Sequence, residues 1–526
     1  MYRDDKTADP LTVPWLEPLR RYVPLAVWVV VLLTLLVVPM KIMTYGYLPG
    51  DDALRSAGKA VSGKSWRDVL VLDKVYQVDH EYGWSLLLSK FHNAFNADAD
   101  TIVLFSVVSL FLLTGLAVVF WLRYPETWLA ILALTMITVL MPFRLLLGRP
   151  YIVSVAVLMS LLLLWRHFGA AKPKPWMLAL MTGLFTASVF LHGTWYLWLL
   201  LVAAFFLAGQ FRWGLAVTIC WIAGVFLGSL LTGHLIDYPA QAVKVVLLAT
   251  GKHLSQRTMV SELQPESGDV YALYALGVLL LLRRMAQLSA TPFLRDPLFW
   301  LVCISWTLGF RVSRFWVDWG WPALAIMMVW DLQLLFRARV AYDSLRRLAL
   351  ACAIALIAFL SITADVGSRW TGNLTQGYLT ADNPDMKGWL PDKGGILYAT
   401  DMTVFYQTFY KNPHGDWRYI LGFEAALMPA EDFEVYHKVL WNYGDTKAYT
   451  PWLLKMTPAD RLVIRGSRGQ PPAIPQLDWN YAASGLWIGR LPGNHDGDSP
   501  ATIPATQPMS SLRNEAAMDA KKAEGN

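Results

Sequence analysis

Apolar positions in this 526-residue chain gather into long unbroken runs rather than alternating or forming one-sided stripes. Eleven such runs stand out, at 23–43, 101–122, 127–146, 150–167, 176–193, 195–210, 213–232, 270–284, 297–312, 319–336 and 347–363. A helix rises ~1.5 Å per residue, so about 20 apolar residues cross the ~30 Å hydrocarbon core of a bilayer. The runs come close to that length, and short charged loops separate most of them. The fold class that this pattern predicts is a polytopic α-helical membrane protein with about eleven transmembrane helices. No small-residue cleavage site follows the first run, so it reads as a retained span rather than a leader.

Three connections are longer than the rest. One is the loop 44–100 and another is the loop 233–269, in which Tyr238 to Leu254 has the two-faced pattern of an interfacial helix. The third is everything after residue 363. There the pattern changes: 395–401, 461–465 and 485–490 read as short buried strands, and 431–442 and 451–456 read as helices started by Pro429 and Pro451. Strands alternating with helices predict a small α/β domain over 364–490. The Pro-, Ser- and Ala-rich stretch 491–526 reads as a disordered tail, and 1–22 as a cytoplasmic N-terminus.

Composition agrees with a membrane environment. Hydrophobic residues make up 55% and charged residues only 16%, against the ~25% charged of a soluble domain. Many of the 25 Trp and 22 Tyr residues sit at run ends, as in an interfacial belt. Basic residues favour alternate connections: Arg20 and Arg21, Arg123, Arg166 with Lys172 and Lys174, Arg212, Arg283 with Arg284 and Arg295, and Arg337 to Arg347. By the positive-inside rule these face the cytoplasm, which puts loop 44–100, loop 233–269 and the α/β domain on the opposite side. The formal charge of +6 then reflects topology and argues against nucleic acid as a partner. Cys220, Cys303 and Cys352 all lie in apolar runs, so no disulfide framework or zinc cluster is implied.

Charged side chains just outside the spans carry the candidate chemistry. Asp51 and Asp52 follow the first span in the sequence Tyr45-Gly46-Tyr47-Leu48-Pro49-Gly50. Two adjacent carboxylates beside a low-dielectric slab are costly, and each raises the other's proton affinity, which suits a base. The plain alternative is a solvated Gly-Asp turn. A second cluster in the same loop, Asp79, His80 and Glu81, can supply a base or, through Asp52, Asp79 and His80, hold a divalent metal. Asp79 can equally cap the helix expected from Trp84 to Phe95. Arg149, Arg311 and Arg314 lie at span ends where a guanidinium can grip a phosphate with paired hydrogen bonds. Snorkelling is the ordinary explanation of any one of them. His192 is a weaker addition to this set. Tyr398, Tyr406, Tyr410, Trp417 and Tyr419 offer stacking surfaces for sugars, or simply a domain core.

This set of features resembles the GT-C superfamily of membrane glycosyltransferases: the Asp-Asp pair in the first outer loop, the multi-span bundle, Arg314-Phe315 near a late span, and the C-terminal outer α/β domain. Similar proteins include the protein O-mannosyltransferases, the bacterial aminoarabinose transferases and the catalytic subunits of oligosaccharyltransferase. The chain lacks the Trp-Trp-Asp signature of the last branch. The resemblance implies transfer of a sugar from a polyprenyl-phosphate donor to an acceptor glycan, lipid or protein on the extracytoplasmic side. Asp51 or Asp52 would be the base or the group that orients the acceptor, and Asp79 or Glu81 the second loop carboxylate. Arg314, with Arg149 and Arg311, would hold the donor phosphate. Direct displacement at the anomeric carbon inverts it, unlike a double displacement. A lipid phosphate is already a leaving group, so no nucleotide loop is needed, and no Gly-rich phosphate-binding motif is present.

The competing expectations are a transporter or flippase of a lipid-linked sugar or other amphiphile, and a non-catalytic assembly or receptor subunit. Transporters place ionisable groups near the membrane midplane, whereas these carboxylates cluster outside the runs. The expected location is a bacterial inner membrane, because the tail carries no retention signal of the eukaryotic secretory pathway.

Overall fold

The computed structural model describes residues 14–74, 76, 78–135, 144–250, 269–287, 293–442, 445–482 and 485–493. Every one of the eleven apolar runs falls on a helix: Val23–Thr44, Ala99–Val119, Glu126–Thr135, Tyr151–Phe168, Pro175–Leu191, Trp195–Leu207, Phe211–Leu231, Asp269–Met285, Pro297–Gly309, Ser313–Arg339 and Leu345–Thr363. Among the described residues six helices are long and apolar enough to cross a membrane: those at Pro18–Thr44, Ala99–Val119, Tyr151–Phe168, Phe211–Leu231, Ser313–Arg339 and Leu345–Thr363. These mark an integral membrane protein. Three of the other five are shorter for identifiable reasons. Run 127–146 continues into residues outside the described set, Trp195–Trp198 winds as a 3-10 turn, and run 297–312 stops at Gly309.

Close helix packing holds the bundle. The helices Pro175–Leu191 and Phe211–Leu231 touch almost backbone to backbone, since a Cβ on Gly224 would lie 2.4 Å from the Cβ of Phe185. The opposite side of Phe211–Leu231 leaves Leu215, Ile219, Ile222, Phe226 and Leu230 exposed, as a lipid-facing stripe does. At the basic end of the bundle Arg347 and Glu126 are both fully buried, and Arg347 donates to both carboxylate oxygens at 2.7 and 3.0 Å. That bidentate pair ties Leu345–Thr363 to Glu126–Thr135.

The three long connections meet at the other end of the bundle, the one that the basic residues predict to be outside. From loop 44–100 come the helices Asp52–Ser62 and Tyr82–Phe95. Asp52–Ser62 packs on Met402–Lys411 of the C-terminal region, and Trp66 packs on Phe405, Phe409 and Phe423 with ring centroids 5.1–6.4 Å apart. The interfacial helix expected at 238–254 is present as Asp237–Thr250, with 251–254 outside the described residues. Its Gln241 amide accepts from Val78 N at 2.9 Å and donates back to Val78 O, pinning it to the first loop.

The C-terminal region is the expected α/β domain, built on a five-stranded sheet in the order β2-β1-β3-β5-β4. β1 (Ile396–Ala399), β3 (Arg461–Arg465) and β5 (Leu486–Arg490) match the three strands read from the sequence. β2 (Arg418–Tyr419) and β4 (Asp478–Ala482) were not legible, being two residues long and polar-aromatic respectively. β1 pairs in parallel with β2 and β3, while β5 runs antiparallel to β3 and β4. Leu70 of the first loop extends the β2 edge through a parallel bridge to Tyr419. Tyr398 and Tyr419 are core residues and Tyr410 is buried, as the core reading of those aromatics expects. The segment 494–526, expected to be a disordered tail, lies outside the described residues.

Candidate functional site

Asp51 and Asp52 stand at the N-terminus of the helix Asp52–Ser62, where the helix dipole favours negative charge. Arg149 reaches them from the turn between two spans. Gly148 makes that approach possible: it adopts φ +65°, and a Cβ there would sit 3.1 Å from Ala53. Arg149 Nη2 lies 2.5 Å from Asp51 Oδ2, and Nε lies 3.5 Å from Asp52 Oδ2. One turn along the helix, Arg55 is 1% exposed. Its Nε donates to Asp52 Oδ1 at 2.7 Å, its Nη2 lies 2.9 Å from Glu81 Oε1, and its guanidinium sits 4.2 Å from the Phe423 ring centre. The two acidic clusters are thus joined through one buried arginine.

This wiring reverses one expectation. Burial would raise the proton affinity of Asp52, but Arg55 and Arg149 outweigh it and hold this carboxyl well below the usual range. Glu81 is the raised group: burial, helped by the charges of Asp52 and Asp79, pushes it up to about 8 against the pull of Arg55. His80 is pushed down to about 4 by burial and by Arg55, so it is neutral near pH 7.

Asp79 does not join the site. It pairs with Lys59, and it accepts from Ser85 Oγ and Glu81 N at 3.0 Å each. The lysine and the loop's own donors thus engage this carboxylate, and it is not among the residues that line the cavity described next. Among the described residues no three His, Cys, Asp or Glu side chains converge as a metal site, so the set Asp52, Asp79 and His80 is not assembled.

A cavity of about 610 Å³ opens between the span ends, the first loop, the helix Asp237–Thr250 and the C-terminal domain. Asp51, Asp52, His80, Glu81, Arg149, His192 and Arg314 all line it. Residues 98 to 263 positions apart in sequence therefore face one space, as the numbers Asp51, Arg149 and Arg314 show. Arg314 Nε lies 3.4 Å from Asp318, whose carboxylate is chiefly held by Arg144 at 2.7 and 2.9 Å. Arg311 is exposed and is not part of the lining, as snorkelling would have it.

Several lining residues were missed by sequence reasoning. Arg55 carried a readable signal, because it sits three residues after Asp52 on a helix with a buried face. Asp401, Glu424 and Arg465 carried none, since their position depends on how the C-terminal domain docks, which also brings Tyr406, one of the aromatics read as a stacking surface or a domain core, into the lining. The chain matches no protein-family model and no curated protein. What fold and site define is a helical membrane protein with an α/β domain docked on one end and a charged cavity enclosed between them.

Proposed function

We propose that the chain is a membrane glycosyltransferase of the GT-C type. It would move a sugar from a polyprenyl-phosphate donor to an acceptor on the extracytoplasmic side, with inversion, in a bacterial inner membrane. The observation that carries this reading is the single cavity at the membrane end of the domain, in which Asp51, Asp52 and Glu81 face the same space as Arg149 and Arg314. Clustered carboxylates and guanidiniums are what displacement at a phosphate-linked carbon uses.

In this reading Arg314 and Arg149 take the donor phosphate. Arg149 must then share its charge between the phosphate and Asp51, so donor binding loosens Asp51 for the acceptor. Asp51 or Asp52 orients the acceptor hydroxyl. As its oxygen bonds to the anomeric carbon, the bond from that carbon to the phosphate oxygen breaks and the electron pair leaves with the lipid phosphate. The proton passes to a carboxylate. Glu81, with a proton affinity near neutral pH, fits that role better than Asp52.

The test is release of polyprenyl phosphate from a panel of polyprenyl-phosphate sugars by the chain in lipid nanodiscs. Asp51→Asn and Asp52→Asn are expected to lower the rate by about 10²–10⁴-fold. Arg314→Ala is expected to raise the donor KM. Movement of a lipid-linked sugar across vesicles with no release, and no effect of Asp51→Asn, would replace the enzyme with the transporter.

A further inference from the structure

Where the helix Pro175–Leu191 ends, the chain makes a turn whose side chains face the cavity and to which the proposed transfer gives no role. Gly193 N donates to His80 O at 3.0 Å, which ties this turn to the acidic loop. His192, just before it, caps the helix and is only 7% exposed. Its ring stands edge-on to Tyr151, and its Nδ1 lies 2.9 Å from Thr194 Oγ1. Nε2, at the far side of the ring, has no hydrogen-bond partner among the described residues, and the side chain lines the cavity. A polar group on a side chain more than nine-tenths buried is costly to leave unmatched, so this edge calls for a ligand.

Arg314 shares this corner. His192, Thr194 and Arg314 border both the main cavity and a second one, of about 20 Å³, that is also lined by Ser154 and Asp318. Arg314 is foremost among the charged groups that act on the imidazole, ahead of His80, Asp52 and Arg55. Tyr196, two residues beyond Thr194, lines the main cavity as well, and the charges of Arg314 and Glu424 act on its phenol. Its Oη also has no partner among the described residues. One short turn therefore sets two neutral, unmatched hydrogen-bonding groups around one guanidinium.

Resting on the glycosyltransferase reading, we propose that His192 and Tyr196 are ligands of the lipid-linked phosphate beside Arg314, and that Thr194 positions the imidazole. Thr194 Oγ1 donates to Nδ1, which leaves the ring hydrogen on Nε2, and Nε2 donates to one phosphate oxygen. Tyr196 Oη donates to another. An ionised phosphate oxygen accepts several hydrogen bonds, and those from a buried site to an anion are the strong ones. The same groups hold the polyprenyl phosphate after the sugar has left, so the product alone reports on them.

The experiment is isothermal titration of the full chain, in a phosphate-free detergent, with geranylgeranyl phosphate, geranylgeraniol and inorganic phosphate. The lipid phosphate is expected to bind more tightly than either the alcohol or inorganic phosphate. His192→Phe should weaken it by about tenfold or more and leave the alcohol unchanged, which a merely structural role would not do. His192→Gln, whose amide nitrogen can stand where Nε2 stands, should recover most of that loss. Tyr196→Phe removes a single hydroxyl and should weaken the lipid phosphate alone in the same direction; it decides the matter if His192→Phe does not fold, as thermal midpoints will show. The proposal is overturned if the lipid phosphate does not bind, or if the folded variants bind it as wild type does. It is equally overturned if Gln is no better than Phe, if the alcohol weakens in parallel, or if inorganic phosphate binds as tightly as the lipid. Failure here is separable from failure of the transfer reading. Binding of the product needs no catalysis, and phosphate release that persists in His192→Phe and Tyr196→Phe while Asp51→Asn abolishes it would strike this proposal alone.

Discussion

Arg55→Met is the most informative single change, because this buried arginine joins both acidic clusters. It replaces the guanidinium with an apolar chain of similar length and leaves Asp52 and Glu81 buried with no shared counter-charge. Breaking a buried ion pair from one side costs about 3–5 kcal/mol, since the remaining charge has neither water nor partner. The cost should depend on pH in a defined direction. In the wild type, Glu81 rises from its ordinary 4.5 to about 8, so its contribution to stability falls as pH climbs through that window and is level above it. Asp52 is lowered from its ordinary 3.8, so its contribution is present above that value and is lost as pH falls through the lower folded value. Removing Arg55 takes away the leading charge that lowers both groups. Asp52 then keeps only the Arg149 guanidinium, so its contribution shrinks, and the costly window of Glu81 extends above pH 8. The variant should therefore already be less stable than wild type at about pH 5, where wild-type Asp52 is ionised, and the gap should widen as pH rises past 8, where wild-type Glu81 levels off. Thermal unfolding of both proteins in detergent at about pH 5 and about pH 8.5 reads this directly. Combining Arg55→Met with Glu81→Gln should restore part of the loss, with a coupling of about 0.5–3 kcal/mol. A pH-independent difference between variant and wild type, or no recovery in the double variant, would refute the wiring of the two clusters through Arg55.

Three further outcomes are expected. The rate of lipid phosphate release should rise with pH to an inflection near 8, where Glu81 loses its proton; Glu81→Gln should erase the inflection, and its survival in that variant would assign it to another group. Gly224→Leu should destabilise the bundle by about 1–3 kcal/mol or more in a chemical unfolding titration, because the new Cβ alone would lie 2.4 Å from the Phe185 Cβ. Arg347→Met or Glu126→Gln alone should each cost about 3–5 kcal/mol, whereas the double change should cost far less, since it removes both buried charges. Equal losses from the single and double changes would mean that the pair itself is not what matters at that position.

The sequence by itself determined the membrane class, the position of each of the eleven apolar helices, and the presence of an α/β domain after residue 363. These follow from local pattern: an apolar run must hide its backbone in a helix, and short apolar strands between turn residues must find a sheet. It also marked Asp51, Asp52, Glu81, Arg149 and Arg314, because a charge beside a hydrocarbon slab is conspicuous wherever the chain places it. Helix lengths were less legible, since residues such as Gly309 or the turn at Trp195–Trp198 end a helix without ending the apolar run. Only the tertiary structure decided which charges meet. Asp79 and Glu81 look alike two residues apart in sequence, yet Lys59 takes one and Arg55 delivers the other to the cavity. Arg311 and Arg314 differ by three positions, and only Arg314 faces inward. The same holds for Asp52, whose proton affinity falls rather than rises because arginines from two separate segments converge on it. Electrostatic energy depends on distance and burial, and both are set by how the first loop, the span ends and the C-terminal domain close around one space.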